Sequence, residues 1–223
     1  MSELPKGHTL LWKTEIGSGM WGTKRNDLDL MSVYIVDTHK ILRGENIRIT
    51  MPHRKYRDET KYGNIDVEEQ AQEIGHLVNK LIDGNVNAIW SICSPEIVEE
   101  SYPEILSDLK KITLNNLSKM SYHSIKGMCM SQYNDNVKRA AVMPPGKAFR
   151  GALRVANFGI ALLSKGKLEF VGVDKEYMPT EDEVIRSIMK LDEAYEKSTL
   201  REKPNEDEFR DFLYHVRMGF MVE

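Results

Sequence analysis

The hydrophobic pattern of this chain changes period at Val67, and that change limits the folds open to it. Upstream, apolar residues fall into short runs divided by turn formers. Thr9–Ile16 leads into the cluster Gly17-Ser18-Gly19-Met20-Trp21-Gly22. Leu28–Val36 is rich in β-branched and apolar residues, Ile47–Met51 is another short strand, and Asn64–Val67 adds one more after a polar tip. From Val67 the residues Val67, Ala71, Ile74, Val78, Leu81 and Ile82 recur every three or four positions, the stripe of an amphipathic helix, which Asp83-Gly84-Asn85 stops.

Helical patterning then continues to the end. Tyr102, Ile105, Leu106, Leu109 and Ile112 mark one helix, and Tyr122–Tyr133 another. Lys147–Leu163 is followed by Gly166 as a C-terminal signal. Thr180–Lys197 opens on the capping box Thr180-x-x-Glu183. A last helix follows Pro204 with Phe209, Phe212, Leu213, Val216 and Phe220, and Leu168–Val173 reads as a stray strand. The expected class is α+β: a small mixed β-sheet domain over residues 1–83, followed by a helical domain over 84–223. Lys138–Gly146 and Ser198–Asn205 are the expected flexible connectors.

The 223 residues are 41% hydrophobic and 29% charged with a net charge of −3, so a globular core is expected and a bulk electrostatic attraction to nucleic acid is not. No apolar run approaches a membrane span, and the first residues lack the layout of a signal peptide. Cys93 and Cys129 are too isolated for a disulfide framework, so a reducing cytoplasmic location is expected.

The chemistry concentrates near the start. Ile16-Gly17-Ser18 is followed, after eight residues, by Asp27-Leu28-Asp29-Leu30. Residues two apart on a strand point the same way, so Asp27 and Asp29 project together while Leu28 and Leu30 face the core. Two carboxylates this close repel unless a cation lies between them, and Mg²⁺ takes carboxylate oxygens while leaving positions for substrate phosphates. The glycine turn offers backbone N–H groups and the Ser18 hydroxyl to a phosphate chain. Ile65-Asp66-Val67 supplies a third acid from an adjacent strand; Glu68 and Glu69 are weaker candidates because the helix is expected to begin there. Asp66 as a helix N-cap is the competing role.

Two other patterns need weighing. Gly17-x-Gly19-x-x-Gly22, with Asp37 twenty residues after Gly17, matches a dinucleotide-binding fingerprint, but Thr23–Ser32 is too short and too acidic for a loop plus a crossover helix. His53-Arg54-Lys55-Tyr56-Arg57 has the makings of a nucleic-acid grip, although Asp58 and Glu59 blunt it and favour a solvated hairpin tip.

Ile16-Gly17-Ser18, Asp27-Leu28-Asp29-Leu30 and Ile65-Asp66-Val67 together resemble the signature of nucleotidyltransferases of the DNA polymerase β superfamily, with Asn26 where many members have Ser or Thr. Asn85–Val98 and the Lys147–Leu163 helix look like the RNA-repair-pathway nucleotidyltransferase-like subgroup. The resemblance implies an enzyme that moves an NMP from an NTP to a hydroxyl, releasing pyrophosphate. It implies two Mg²⁺ ions held by Asp27, Asp29 and Asp66, with Asp66 the most base-like. The nucleotide would be gripped by Gly17, Ser18, Lys147 and Arg154, with Arg150 beside them. RNA is the expected acceptor, and a non-catalytic nucleotide-binding or toxin–antitoxin-type module is the alternative.

Overall fold

Asp27–Val36 is the strand around which the rest is arranged. The computed structural model describes residues 7–23, 27–58, 64–138 and 146–221, and within them one mixed sheet contains five strands. β1 (His8–Glu15) and β2 (Asp27–Val36) are antiparallel; β3 (Arg54–Asp58) is antiparallel to β4 (Ile65–Glu73), and β5 (Ile97–Glu100) to β1. β4 alone runs parallel to β2, giving the order β3-β4-β2-β1-β5. The helices are α1 (Thr38–Leu42), α2 (Ile74–Ile82), α3 (Val86–Cys93), α4 (Pro103–Asn115), α5 (Ser121–Lys138), α6 (Lys147–Lys165), α7 (Glu181–Lys197) and α8 (Glu206–Gly219). The class is α+β.

The alternation of β2 divides its side chains between two environments. Val33 and Ile35 enter a core built with Leu11 and Trp12 of β1, α2, α3, α4 and the Phe209 and Phe212 pair of α8. Leu28 and Leu30 are buried on the opposite face with Val67. Each fully buried aliphatic side chain contributes about 2 kcal/mol, which fixes the register: a one-residue slip would exchange these leucines with Asp27 and Asp29. A second core joins α5, α6 and α7 with Trp90 of α3 and with Met20 and Trp21 of the glycine turn. Chain beyond residue 84 therefore contributes to both cores, through α3, α4 and α8 on the sheet side, and adds β5 to the sheet.

Several expectations need correction. The helix expected from Val67 begins at Ile74, and residues 65–73 are strand β4. Val67 and Ala71 lie four apart, a spacing that suits one face of a helix and one face of a strand equally, and pairing with β2 and β3 on both sides decides for the strand. Arg54–Asp58, expected within a polar tip, is edge strand β3. Ile47–Met51 forms no ladder; it touches β4 through Met51 N–H to Ala71 O (2.9 Å) and the Thr50–Gln72 bridge. Leu168–Val173 is not a strand, although Leu168 and Phe170 pack against both cores.

Ser198–Asn205 is pinned rather than loose. Ser198 Oγ donates to Leu163 O (2.7 Å), and Asn116 Oδ1 accepts from Arg201 Nη1 (2.7 Å) and Asn205 N (2.8 Å). Most of the other expected connector, 138–146, and Asn26 lie outside the described residues. The capping box at Thr180 forms with both of its bonds, and Gly166 caps α6 in the left-handed conformation (φ 62°). Among the described residues no helix is long and apolar enough to cross a membrane.

Candidate active site

Strand pairing assembles the acidic face. In the parallel β2–β4 pair Asp27 is opposite Asp66 and Asp29 is opposite Glu68, so all four carboxylates lie on one side of the sheet at the start of both strands. β3 adds cationic neighbours, with Arg57 across from Asp66 and Lys55 across from Glu68. Asp27 and Asp66 are exposed, whereas Asp29 is half-buried. Burial pushes the Asp29 carboxyl above its usual range, and the negative charges of Asp27 and Glu68 push it further; Lys147 and His53 pull it back. Lys147, at the first turn of α6, thus brings a positive charge from the helical half to the acidic face.

The glycine turn is wedged between two carboxylates. A β-carbon on Gly17 would come 2.8 Å from Asp29 Cβ, and one on Gly19 would run into the buried Glu15 carboxylate. Glu15 Oε1 accepts the Gly19 N–H at 2.7 Å, and Ile16 N–H donates to Asp29 O at 2.9 Å. Only glycine lets the backbone lie this close to both acids. The Ser18 Oγ is shielded from solvent without a hydrogen-bond partner.

Trp21 anchors the far end of the turn. Its ring meets Trp90 edge-on (5.3 Å between centroids), Phe158 (6.0 Å) and Phe170 (5.6 Å). Over the same ring sits the Arg154 guanidinium, 5.6 Å from the centroid. Positions 147, 151, 154 and 158 form one stripe of α6, so the face that packs Phe158 on Trp21 also places Arg154 there, with Lys147 at the sheet end. Arg154 Nε is buried without a partner. Desolvation, and then the charge of Arg150, lowers the Arg154 pKa. Arg150 itself donates to Tyr177 O (3.0 Å).

The four carboxylates are hard oxygen donors, the kind that suits Mg²⁺. Even so, among the described residues no three His, Cys, Asp or Glu side chains gather closely enough to form a ready-made metal site. Glu68 is turned toward β3, where Lys55 Nζ pairs with its Oε1 and His53 Nε2 lies 3.6 Å from its Oε2. On sequence Glu68 is a weaker candidate than Asp66, because a helix is expected to begin there. The period-2 spacing of Asp66 and Glu68 was the available signal, and the strand makes them neighbours on one face.

Asp66 does not cap a helix: Glu73 caps α2 by accepting Gly75 N–H (2.7 Å). Asp37 caps α1, accepting His39 N–H (2.9 Å), and β2 returns antiparallel to β1 where the dinucleotide fingerprint needs two parallel strands joined by a crossover helix, which removes that reading. A pocket on the opposite face, lined by Lys13, Ser32, Arg54 and Glu69 among others, is a separate place.

No family model and no curated protein matches the chain. Among solved structures, the chain is similar to a nucleotidyltransferase-like protein from Exiguobacterium sibiricum at 14% identity, over 94% of this chain and 74% of that one, with a TM-score of 0.33. So loose a superposition transfers no residue, and the functional reading rests on this chain's own geometry.

Proposed function

We propose that the protein is a nucleotidyltransferase that moves an NMP from an NTP to a hydroxyl acceptor, with an RNA end as the first-choice acceptor. The observation that supports this most is the lateral pairing of Asp27 and Asp29 with two further acids, one strand over, beside a turn that has no room for a β-carbon at Gly17 or Gly19. Magnesium, held by Asp27, Asp29 and a carboxylate of β4, would supply the charge that neutralises the triphosphate and acidifies the attacking hydroxyl.

The chain's own groups do the rest. In the Gly17–Gly22 turn the N–H groups of Gly19, Trp21 and Gly22 are already given to Glu15 Oε1, Ser18 O and Gly19 O, so the phosphates would be met by the rest of the turn and by the Ser18 hydroxyl, which lacks a partner. Arg154, whose Nε lacks a partner, and Lys147 carry positive charge toward the same end. Asp66, exposed at the rim opposite Asp27, is placed to take the proton of the incoming hydroxyl. Arg57 beside it, on edge strand β3, offers a cation to an RNA backbone. Catalysis of this kind is chiefly positioning and charge neutralisation.

Parallel assays with α-³²P- and γ-³²P-labelled NTP, Mg²⁺ and an RNA oligonucleotide test the reading. Label retained on acceptor from the α position only, and lost in Asp27→Asn, is expected. Retention from the γ position would mean a kinase, and NTP binding without turnover on RNA, protein or small-molecule acceptors would favour a non-catalytic module.

A further inference from the structure

The chain between α6 and α7 has no regular secondary structure, yet it is fitted closely to its neighbours. It runs back along α6: Phe170 meets Phe158 in the middle of that helix (5.4 Å between centroids), and Tyr177 O accepts from Arg150 Nη1 in its first turn (3.0 Å). On the way it passes over the glycine turn. Phe170 meets the Trp21 ring (5.6 Å), and a β-carbon on Gly172 would stand 2.6 Å from Trp21 O and 2.5 Å from Thr23 Cγ2. Neither neighbour is the tip of a long flexible side chain, so only a residue without a β-carbon lets the two segments lie this close. Thr23 is in turn the residue that closes the glycine turn. Its N–H and its Oγ1 donate to Ser18 O at 3.2 and 2.7 Å, and Trp21 N–H reaches the same oxygen at 3.2 Å. The Ser18 carbonyl is thus held within the turn while the Ser18 hydroxyl is shielded and unpartnered.

We propose that residues 167–179 are a strap through which the helical half sets the position of the nucleotide-binding groups, with Gly172 acting through Thr23 on Ser18, and Phe170 acting through Trp21 on Arg154. The proposal rests on reading the glycine turn as the seat of the nucleotide. Two chains of contact lead to that seat from the strap. One is Gly172 to Thr23 to the Ser18 carbonyl; the other is Phe170 to the Trp21 ring, over which the Arg154 guanidinium sits at 5.6 Å. The turn has little regular structure to fix it, since Gly19–Trp21 is a single short 3₁₀ turn. A shift of about 1 Å is enough to take a hydroxyl out of range of a phosphate oxygen, because O–H···O bonds span only ~2.5–3.0 Å. Gly172 and Phe170 are therefore positioning residues, each acting through the residue it presses on.

The test is calorimetric titration of the full chain with the α,β-methylene analogues of ATP, CTP, GTP and UTP and Mg²⁺, at a temperature where thermal unfolding shows each variant folded. Gly172→Ala and Thr23→Val are expected to weaken binding at least about tenfold, since a misplacement of about 1 Å can cost ~100-fold. The exposed neighbour Val171→Ala, and Thr23→Ser, the conservative variant that keeps the hydroxyl, are expected to bind within about threefold of the parent, having left the turn in place. Phe170→Leu, which empties space rather than filling it, carries the same expected loss should Gly172→Ala not fold. A lowered melting temperature with unchanged affinity in the folded Gly172→Ala or Phe170→Leu variant reduces the strap to packing and overturns the proposal. Equal binding by Thr23→Ser and Thr23→Val overturns the route through the Thr23 hydroxyl. A parent that binds none of these analogues contradicts the nucleotidyltransferase reading and the proposal with it, a result seen without any variant and so distinct from the other two.

Discussion

Gly17 crosses directly over Asp29: the β-carbon it lacks would stand 2.8 Å from that of Asp29, and the neighbouring Ile16 N–H donates to the Asp29 carbonyl at 2.9 Å. The glycine turn and the strand that carries the acids are therefore one unit. Gly17→Ala forces turn and strand apart, since the nearest atoms include Asp29 Cβ and not merely a mobile tip. Nucleotide transfer is expected to fall by about 10- to 100-fold, and stability by about 1–3 kcal/mol. Gly22→Ala is the contrast. Gly22 has φ 67° and open space around it, so about 1 kcal/mol of backbone strain is expected without loss of activity. Steady-state kinetics and thermal unfolding of the two variants check this.

Asp29→Asn is expected to stabilise the metal-free protein at neutral pH while abolishing transfer. The folded state raises the Asp29 pKa, through burial first and then the charges of Asp27 and Glu68. Folding thus favours the protonated form, and the associated stability is lost as pH rises through the folded value. An amide removes that loss. Melting temperatures of parent and variant in EDTA should differ at pH 7 and converge toward pH 3; a lower melting temperature for the variant at pH 7 would contradict the argument.

Arg154→Leu separates a substrate contact from a structural one. The guanidinium is half-buried with an unpartnered Nε, and its stacking on Trp21 is worth about 0.5–2 kcal/mol. Desolvation works against that sum, so the melting temperature is expected to change little. If Arg154 meets the triphosphate, KM for NTP rises about tenfold or more, as loss of a charge-assisted contact implies. Isothermal titration with a non-hydrolysable NTP checks the same point without turnover.

The opposite face supplies a stability test. Lys13 Nζ lies 3.0 Å from Glu69 Oε1, which also accepts from Ser32 Oγ at 2.6 Å, while Tyr56 donates to Oε2 at 3.3 Å. Burial alone would raise the Glu69 pKa, but the Ser32 and Lys13 bonds outweigh it and leave it below the usual value of 4.5. Lys13→Met strands a carboxylate that is 9% exposed, and about 1–3 kcal/mol of stability should be lost at pH 7. A lowered folded pKa gives stability that is present above pH 4.5 and lost as pH falls through the folded value. The gap between parent and variant in urea unfolding is therefore expected to narrow below pH 4.5.

Much of this architecture is legible in the sequence because its signals are local. The helical stripes of α4, α6, α7 and α8, the box at Thr180 and the apolar run of β2 each announce themselves within a few residues. β4 does not. Its Glu68-Glu69-Gln70 stretch is poor strand material, held in place by partners on both sides, and its apolar spacing of four fits either period. The position of Glu68 is hidden for the same reason: only the register against Asp29 makes it a neighbour. The crowding of Gly19 against Glu15 and the seating of Arg154 on Trp21 join segments whose proximity no linear motif encodes.

Anomalous scattering from a crystal grown with Mn²⁺ and a non-hydrolysable NTP tests the central claim most directly. The account predicts a manganese peak within coordination distance of the Asp27 and Asp29 carboxylates, with the triphosphate running along the Gly17–Gly22 turn. A peak elsewhere on the protein, with that pair of carboxylates bare, would contradict it.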